Sequence, residues 1–125
     1  MLKKVSTTNA PAAIGPYSQA IIVDKFLFAS GQIPINPATG NVETVGIKDQ
    51  AEQVMKNIGA VLTEAGTDYK NVVKTTCFLA EMGDFAAFNE VYGKYFTENP
   101  ARSCVAVKQL PKDVTCEVEV IAYLG

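Results

Sequence analysis

Several predicted strands of this chain carry apolar side chains on both faces. Phe26 and Phe28 alternate with Leu27 and Ala29, and residues 104–106 repeat the pattern. Successive side chains of a strand point to opposite faces of the sheet, so such a sheet needs a cover on each face. The sequence predicts only two helices, which cover one face. We therefore expect identical subunits to cover the other face in an obligate, closed cyclic homo-oligomer, and the pattern leaves two or three subunits open.

The predicted order of elements is β-β-β-α-β-α-β-β. The first strand lies within residues 1–16, and the remaining strands are expected at residues 20–23, 26–30, 72–80, 102–109 and 115–123. Short turns join most of them, including one at residues 39–41. This order predicts an α+β fold: a two-layer sandwich in which a mixed β-sheet carries two helices on one face.

The two helices are predicted from their apolar stripes. Residues 47–65 carry apolar side chains at helical spacing, and Gly66 lies where a C-terminal cap belongs. Asp84 is expected to cap the second helix. The apolar side of that helix comprises Phe85, Phe88, Val91, Tyr92, Tyr95 and Phe96.

The composition fits one globular domain over residues 1–125. Hydrophobic residues make up 48% of the chain and the net charge is -2, so we expect neither disorder nor a basic surface for nucleic acid. No apolar run is long enough to span a membrane. The cysteines are odd in number, lack metal-site spacing and follow no secretory signal, which together favour a reducing cytoplasm.

The chain contains no histidine, which excludes several kinds of active site. A single chain can build neither a Ser-His-Asp nor a Cys-His catalytic group. Zinc sites that use histidine are excluded as well, and no cluster of acidic residues replaces them, so we expect no metal site. Proton transfer is left to Glu, Asp, Tyr, Lys, Cys or water.

Arg102 and Glu117 are the strongest candidates for chemistry. They lie on two predicted strands joined by a short turn that contains Pro111. Arginine holds a carboxylate through two parallel hydrogen bonds, and a nearby glutamate can move protons or orient water. The alternative for Arg102 is a surface ion pair. The alternative for Glu117 is a solvated face that it shares with Glu119, and alternation cannot say which glutamate is functional.

Further candidates line the predicted loops and the second helix. Cys104 lies two residues after Arg102, so the two side chains point to the same face of the predicted strand. We expect the Cys104 side chain to be a small core residue, while its backbone can face a ligand. Tyr17 follows a rigid Gly-Pro turn, and Ser30 and Gly31 end a buried strand where backbone can approach a ligand. The second helix carries further candidates, of which one aromatic could line a cleft between subunits: Phe85, Phe88 and Asn89.

Short segments in a fixed order also carry a family resemblance. They are residues 10–20 (APAAIGPYSQA), 30–34 (SGQIP), 73–76 (VKTT), 100–105 (PARSCV) and 110–112 (LPK). Together they resemble the RidA branch of the reactive-intermediate deaminase (Rid) family over essentially the whole chain.

The resemblance implies a homotrimer with the bacillary chorismate-mutase-like fold and three clefts between subunits. It implies a cofactor-free 2-iminobutanoate/2-iminopropanoate deaminase, which hydrolyses 2-imino acids and their enamine tautomers to 2-oxo acids and ammonia. By position, Arg102 would hold the substrate carboxylate, Glu117 the attacking water, and Cys104 would contribute backbone contacts. Tyr17, Ser30 and Gly31 would line the pocket, with Asn89 and an aromatic of the second helix nearby.

Two other functions compete with this one. A metabolite-binding module could use the same cleft to sense a 2-oxo or 2-amino acid without turnover. Ribonuclease activity is the third hypothesis, and the acidic composition and the absence of histidine weigh against it.

Overall fold

The computed structural model describes residues 2–125 and confirms the predicted α+β architecture. The two α-helices are α1 (Ile47–Glu64) and α2 (Phe85–Tyr95). The strands are β1 (Lys3–Val5), β2 (Ala20–Val23), β3 (Phe26–Ala29), β4 (Ile35–Asn36), β5 (Asn41–Val42), β6 (Val72–Leu79), β7 (Ala101–Ala106) and β8 (Cys116–Tyr123). The short hairpin of β4 and β5 is an addition to the predicted order, and it contains the turn expected at residues 39–41.

The main sheet has six strands in the order β1-β2-β3-β8-β6-β7. Only β6 and β7 pair in parallel, so the sheet is mixed, and β7 forms one of its edges. Both helices pack on the same face. The core between helices and sheet is formed by fully buried side chains such as Leu27, Val54, Met55, Ile58, Cys77, Leu79, Val118 and Val120.

The predicted limits of α1 are nearly correct. The start of α2 is also close to the prediction, but it lacks the expected side-chain cap. Gly66 follows α1 with φ of 85°, a conformation that glycine adopts without strain. Asp84 occupies the N-cap position of α2, but the predicted side-chain cap is wrong. Its φ of −85° and ψ of 1° are not the extended backbone that a capping side chain needs. Within residues 2–125, neither helix is both long and apolar enough to cross a membrane.

Strand β7 is shorter than predicted and ends at Ala106. After it, the Val107 N–H still donates to the Leu79 carbonyl at 2.9 Å, and the chain then turns away from the sheet. A 3-10 turn at Pro111–Asp113 reverses the direction, with left-handed φ values of 55° and 52° at Lys112 and Asp113. This turn brings Pro111 back toward the start of β8.

The second face of the sheet carries no helix and presents several large apolar side chains, as the sequence predicted. We call it the open face. Phe26 pairs with Tyr123 and Phe28 with Ile121 across neighbouring strands, so these side chains share that face. Phe28 is 46% exposed and Val105 is 47% exposed in the single chain. Large apolar side chains grouped in this way are typical of an interaction surface.

Candidate functional site

The side chain of Arg102 points to the helix-covered face from the edge strand β7. Its partner in the register is Thr75, which is fully buried on that face. The guanidinium Nη1 donates a hydrogen bond of 2.8 Å to Oδ1 of Asn89 on α2. Its carbon also lies 5.3 Å from the ring centre of Phe85 and 4.7 Å from that of Tyr92. The two rings and one amide therefore hold the guanidinium in a defined orientation.

Tyr92 was not predicted as a site residue, yet it supports Arg102 directly. Its hydroxyl shares a buried hydrogen bond of 2.7 Å with Oγ1 of Thr75, which fixes the ring against the sheet. Burial raises the pKa of the Tyr92 phenol, so the ring stays neutral beside the cation. The sequence did contain a signal for Tyr92. It lies three residues after Asn89 and seven after Phe85, and residues at that spacing share a helix face.

Arg102 has no carboxylate partner within the described residues. The ion pairs of residues 2–125 are Lys48 with Glu90 and Lys94 with Glu52, both between the two helices. The alternative of a surface ion pair for Arg102 is therefore wrong for the single chain. A half-buried guanidinium that keeps free donors has the chemistry needed to bind an external carboxylate.

Cys104 lies beside Arg102 on the same face and packs against the core, as predicted. Burial raises the pKa of its thiol, so the reactive thiolate is disfavoured. Val107 directs its N–H to β6, and strand geometry alternates, so the N–H groups of Arg102 and Cys104 point to the free edge. These backbone donors are available to the same ligand that would reach the guanidinium.

Glu117 lies in a second cluster, on the open face. A cavity of about 460 Å³ is lined by Tyr17, Ser30, Gly31, Ile33, Pro111, Glu117 and Glu119. It unites four of the predicted site residues. Glu117 is half-buried and Glu119 is exposed, so the structure separates the two glutamates that alternation could not distinguish.

Backbone pairing brings Gly31 against Glu117. The N–H of Gln32 donates to the Val118 carbonyl at 2.8 Å, and the Val118 N–H donates back at 3.2 Å. A Cβ atom added to Gly31 would overlap the Glu117 carboxylate, so only glycine leaves the carboxylate in place. The Ser30 hydroxyl donates to the Ser18 carbonyl at 2.7 Å and ties the loop before β2 to this corner.

Burial raises the pKa of Glu117 above its usual range, and the nearby charge of Glu119 raises it further. Within residues 2–125 the Glu117 carboxylate takes part in no hydrogen bond. A half-buried carboxylate without partners, at the wall of a cavity, is suited to accept a proton or to hold a water molecule.

The single chain does not bring Arg102 and Glu117 to one site. Arg102 is in register with Thr75 on the helix-covered face, whereas Glu117 is in register with Phe78, which belongs to the opposite parity of β6. The expectation from the residues alone, that the two side chains act together, is therefore wrong within one protomer. Each protomer therefore carries two candidate clusters, which we call half-sites, on opposite faces of its sheet.

The structure also distinguishes the two aromatic candidates of α2. Phe88 is fully buried between helix and sheet and lines neither half-site, so it is a core residue in this conformation. Phe85 is half-buried beside the Arg102 guanidinium. Cys77 and Cys116 are buried in the core, as predicted.

Comparisons with known proteins support this reading of the chain. The model of the endoribonuclease L-PSP family matches residues 7–124. A RutC family protein of Synechocystis is 52% identical over 98% of this chain and 97% of its own length. The mouse protein named 2-iminobutanoate/2-iminopropanoate deaminase is 48% identical over 98% of this chain and 92% of its own length.

Solved structures also match this chain over almost its full length. The structure of Escherichia coli TdcF with bound serine superposes with a TM-score of 0.94 and 42% identity, covering 98% of this chain and 99% of TdcF. Another matching structure, from Yersinia pestis, is described as a member of the Rid protein family. The resemblance noted in the sequence is thus confirmed, and the chain belongs to the endoribonuclease L-PSP family, which includes the RutC and Rid proteins.

Proposed function

We propose that this protein hydrolyses 2-imino acids and their 2-enamino tautomers, such as 2-iminopropanoate and 2-aminoacrylate, to 2-oxo acids and ammonia. The observation that carries the proposal is the Arg102 guanidinium, which is held by Asn89 and two rings but lacks a carboxylate partner in the described chain. The deaminase name of the mouse relative, at 48% identity, supports the same reaction.

The proposed active unit is a homotrimer of the bacillary chorismate-mutase type with one cleft at each subunit boundary. The apolar open face supports this assembly because it needs a cover that the helices of the same chain do not supply. A head-to-tail ring would bring the Arg102 edge of one subunit to the Glu117 cavity of the next. Each cleft would then combine one half-site from each of two neighbours.

Binding of the substrate carboxylate is the first step of the proposed mechanism. The guanidinium and the outward N–H of Cys104 would hold the carboxylate and so orient the adjacent C=N carbon toward Glu117 of the neighbouring subunit. The translational and rotational entropy of the substrate is then lost on binding, so less entropy has to be lost in the chemical step.

Water addition would follow at the oriented carbon. Glu117 accepts a proton from water as the water oxygen bonds to C2 of the protonated imine and the C=N π electrons move to nitrogen, which gives a tetrahedral carbinolamine. Glu117 then returns this proton to the amine. The C–N bond breaks and ammonia leaves as the hydroxyl oxygen forms C=O with C2 and gives its proton to the Glu117 carboxylate. This sequence needs one carboxylate that gains and returns a proton, which a chain without histidine can supply.

A binding module that lacks turnover is the second candidate. It is favoured by the serine bound to TdcF, because serine presents the same carboxylate and an adjacent nitrogen. Ribonuclease activity, the property in the family's name, finds less support in a chain with a net charge of -2 and no histidine.

An imine-loss assay distinguishes these functions. An amino-acid oxidase generates 2-iminopropanoate from alanine in situ, and semicarbazide traps the imine that has not yet been hydrolysed. We expect the protein to lower the trapped fraction in proportion to its concentration. Saturable binding of serine or pyruvate without any loss of imine would favour the binding module instead, and cleavage of RNA by the same preparation would favour the nuclease.

The proposed role of Glu117 predicts a pH dependence. Because its pKa is raised, the carboxylate loses its charge at a higher pH than an ordinary glutamate, so the acid limb of kcat/KM should lie above about pH 4.3. Removing the charge of Glu119 by Glu119→Gln should move that limb to lower pH. The protonation of the imine is common to both proteins, so the difference between their profiles isolates Glu117. Superimposable profiles would contradict the assignment.

A further inference from the structure

A second cavity adjoins the one that holds Glu117. It has a volume of about 290 Å³ and is lined by Pro11, Ala12, Ile14, Tyr17, Gln19, Gly31, Gln32, Ile33, Ile35, Pro111 and Lys112. Tyr17, Gly31, Ile33 and Pro111 line both cavities, so the two are neighbours that share a wall of four residues. A ligand whose reacting carbon lies near Glu117 can extend past Tyr17 and Pro111 into this second space.

Most of the lining of the second cavity offers no partner for a polar ligand. The Gln19 amide is already engaged, since its Nε2 donates to the Pro11 carbonyl at 2.7 Å and its Oε1 accepts from the Thr7 N–H at 2.7 Å. The remaining side chains are mainly aliphatic, Tyr17 and Gln32 add one hydroxyl and one amide, and Lys112 is the only charged residue among them. A space of this size holds several water molecules, which an apolar group can displace.

The wall of the cavity is held in place before any ligand arrives. The buried Asn57 on α1 donates from Nδ2 to the Ile33 carbonyl at 3.1 Å and to the Ile35 carbonyl at 2.9 Å. Pro111 begins the 3-10 turn that precedes β8 and has a restricted backbone. A preformed apolar space favours ligands that fill it, because little ordering is left to be done on binding.

We propose that this second cavity receives the substrate side chain, and that the protein prefers imino acids with apolar side chains of leucine or methionine size over 2-iminopropanoate. The inference rests on the proposed deaminase function and adds the class of side chain to it.

The test compares imines made by oxidases from alanine, leucine, methionine and glutamate, each followed by semicarbazide trapping. We expect kcat/KM for the leucine- and methionine-derived imines to exceed that for the alanine-derived imine by about 10- to 100-fold, since a single methylene in an apolar pocket changes it by roughly 10- to 200-fold. Ala12→Phe should fill the cavity from its exposed rim and remove most of that preference.

The adjacent residue provides the matched control. Ala13 lines a neighbouring groove and not this cavity, so Ala13→Phe should leave the preference intact. Equal kcat/KM values for all apolar imines, or a preference that Ala12→Phe does not change, would overturn the inference while leaving the deaminase function standing. A preference for the glutamate-derived imine would also overturn it and assign the rim to Lys112. Lack of acceleration with every imine would remove both proposals.

Discussion

Replacing Arg102 with alanine is expected to lower kcat/KM for imine hydrolysis by at least about 30-fold and to leave the oligomer intact. Truncating one partner of a buried, hydrogen-bonded charge pair costs about 2–5 kcal/mol, or roughly 30- to 4,000-fold at 1.4 kcal/mol per tenfold. Arg102 makes no ion pair within the described chain, so its removal strands no carboxylate there. The trapping assay measures the rate, and size-exclusion chromatography with light scattering measures assembly.

Two further variants separate the geometry of Arg102 from its charge. Arg102→Lys keeps the charge but loses the planar pair of donors and the stacking on Phe85 and Tyr92, so it should recover only a small part of the activity. Lys108→Ala removes a positive charge from an exposed position after the same strand and should behave as the wild type. Equal losses in Arg102→Ala and Lys108→Ala would mean that general electrostatics, rather than a carboxylate clamp, supports the reaction.

The predictable part of the fold follows from local patterns. The stripe of α1 and the glycine after it are repeated contacts between residues close in sequence, so the pattern alone gave its limits within about one residue. The apolar open face was predictable for the same reason, because alternation along β3 needs no knowledge of other strands. The predicted Asp84 cap is wrong because the preceding turn sets the φ and ψ angles of Asp84, and the residue type alone does not indicate those angles.

The relation between Arg102 and Glu117 could not be predicted from the residues alone. Alternation assigns faces within one strand, but it does not say which parity of β7 shares a face with which parity of β8. That relation is set by the register of both strands against β6, where Arg102 pairs with Thr75 and Glu117 with Phe78. Register depends on contacts between distant segments, which a single sequence does not display.

The aromatic residues of α2 illustrate the same limit on a smaller scale. Phe85, Phe88 and Tyr92 belong to one apolar stripe, and the sequence treats them alike. Only the position of β7 at the edge of the sheet leaves Phe85 and Tyr92 next to a guanidinium while Phe88 is enclosed by the core. Predicting Phe88 as a pocket residue and overlooking Tyr92 both follow from not knowing where that edge lies.

The opposite faces of the two half-sites lead to a second prediction with a large effect. Arg102→Ala and Glu117→Gln should each be nearly inactive as pure proteins, yet oligomers assembled from an equal mixture should regain activity. If each cleft takes Arg102 from one subunit and Glu117 from its neighbour, random assembly of a cyclic oligomer gives both intact residues in about one quarter of all clefts, which for a trimer is about one in three clefts of the mixed oligomers. Co-expression with two different affinity tags and sequential purification would isolate the mixed oligomers for the trapping assay.

The matched control for complementation uses the double variant. Mixing Arg102→Ala with Arg102→Ala/Glu117→Gln allows the same subunit exchange but supplies no intact Arg102, so activity should stay at the level of the pure variants. Purified mixed oligomers of the two single variants that remain inactive would contradict a site shared between subunits. Because Arg102 and Glu117 lie on opposite faces of one sheet, such a result would mean that at least one of the two single variants loses activity through folding or assembly rather than through loss of a group that contacts the substrate.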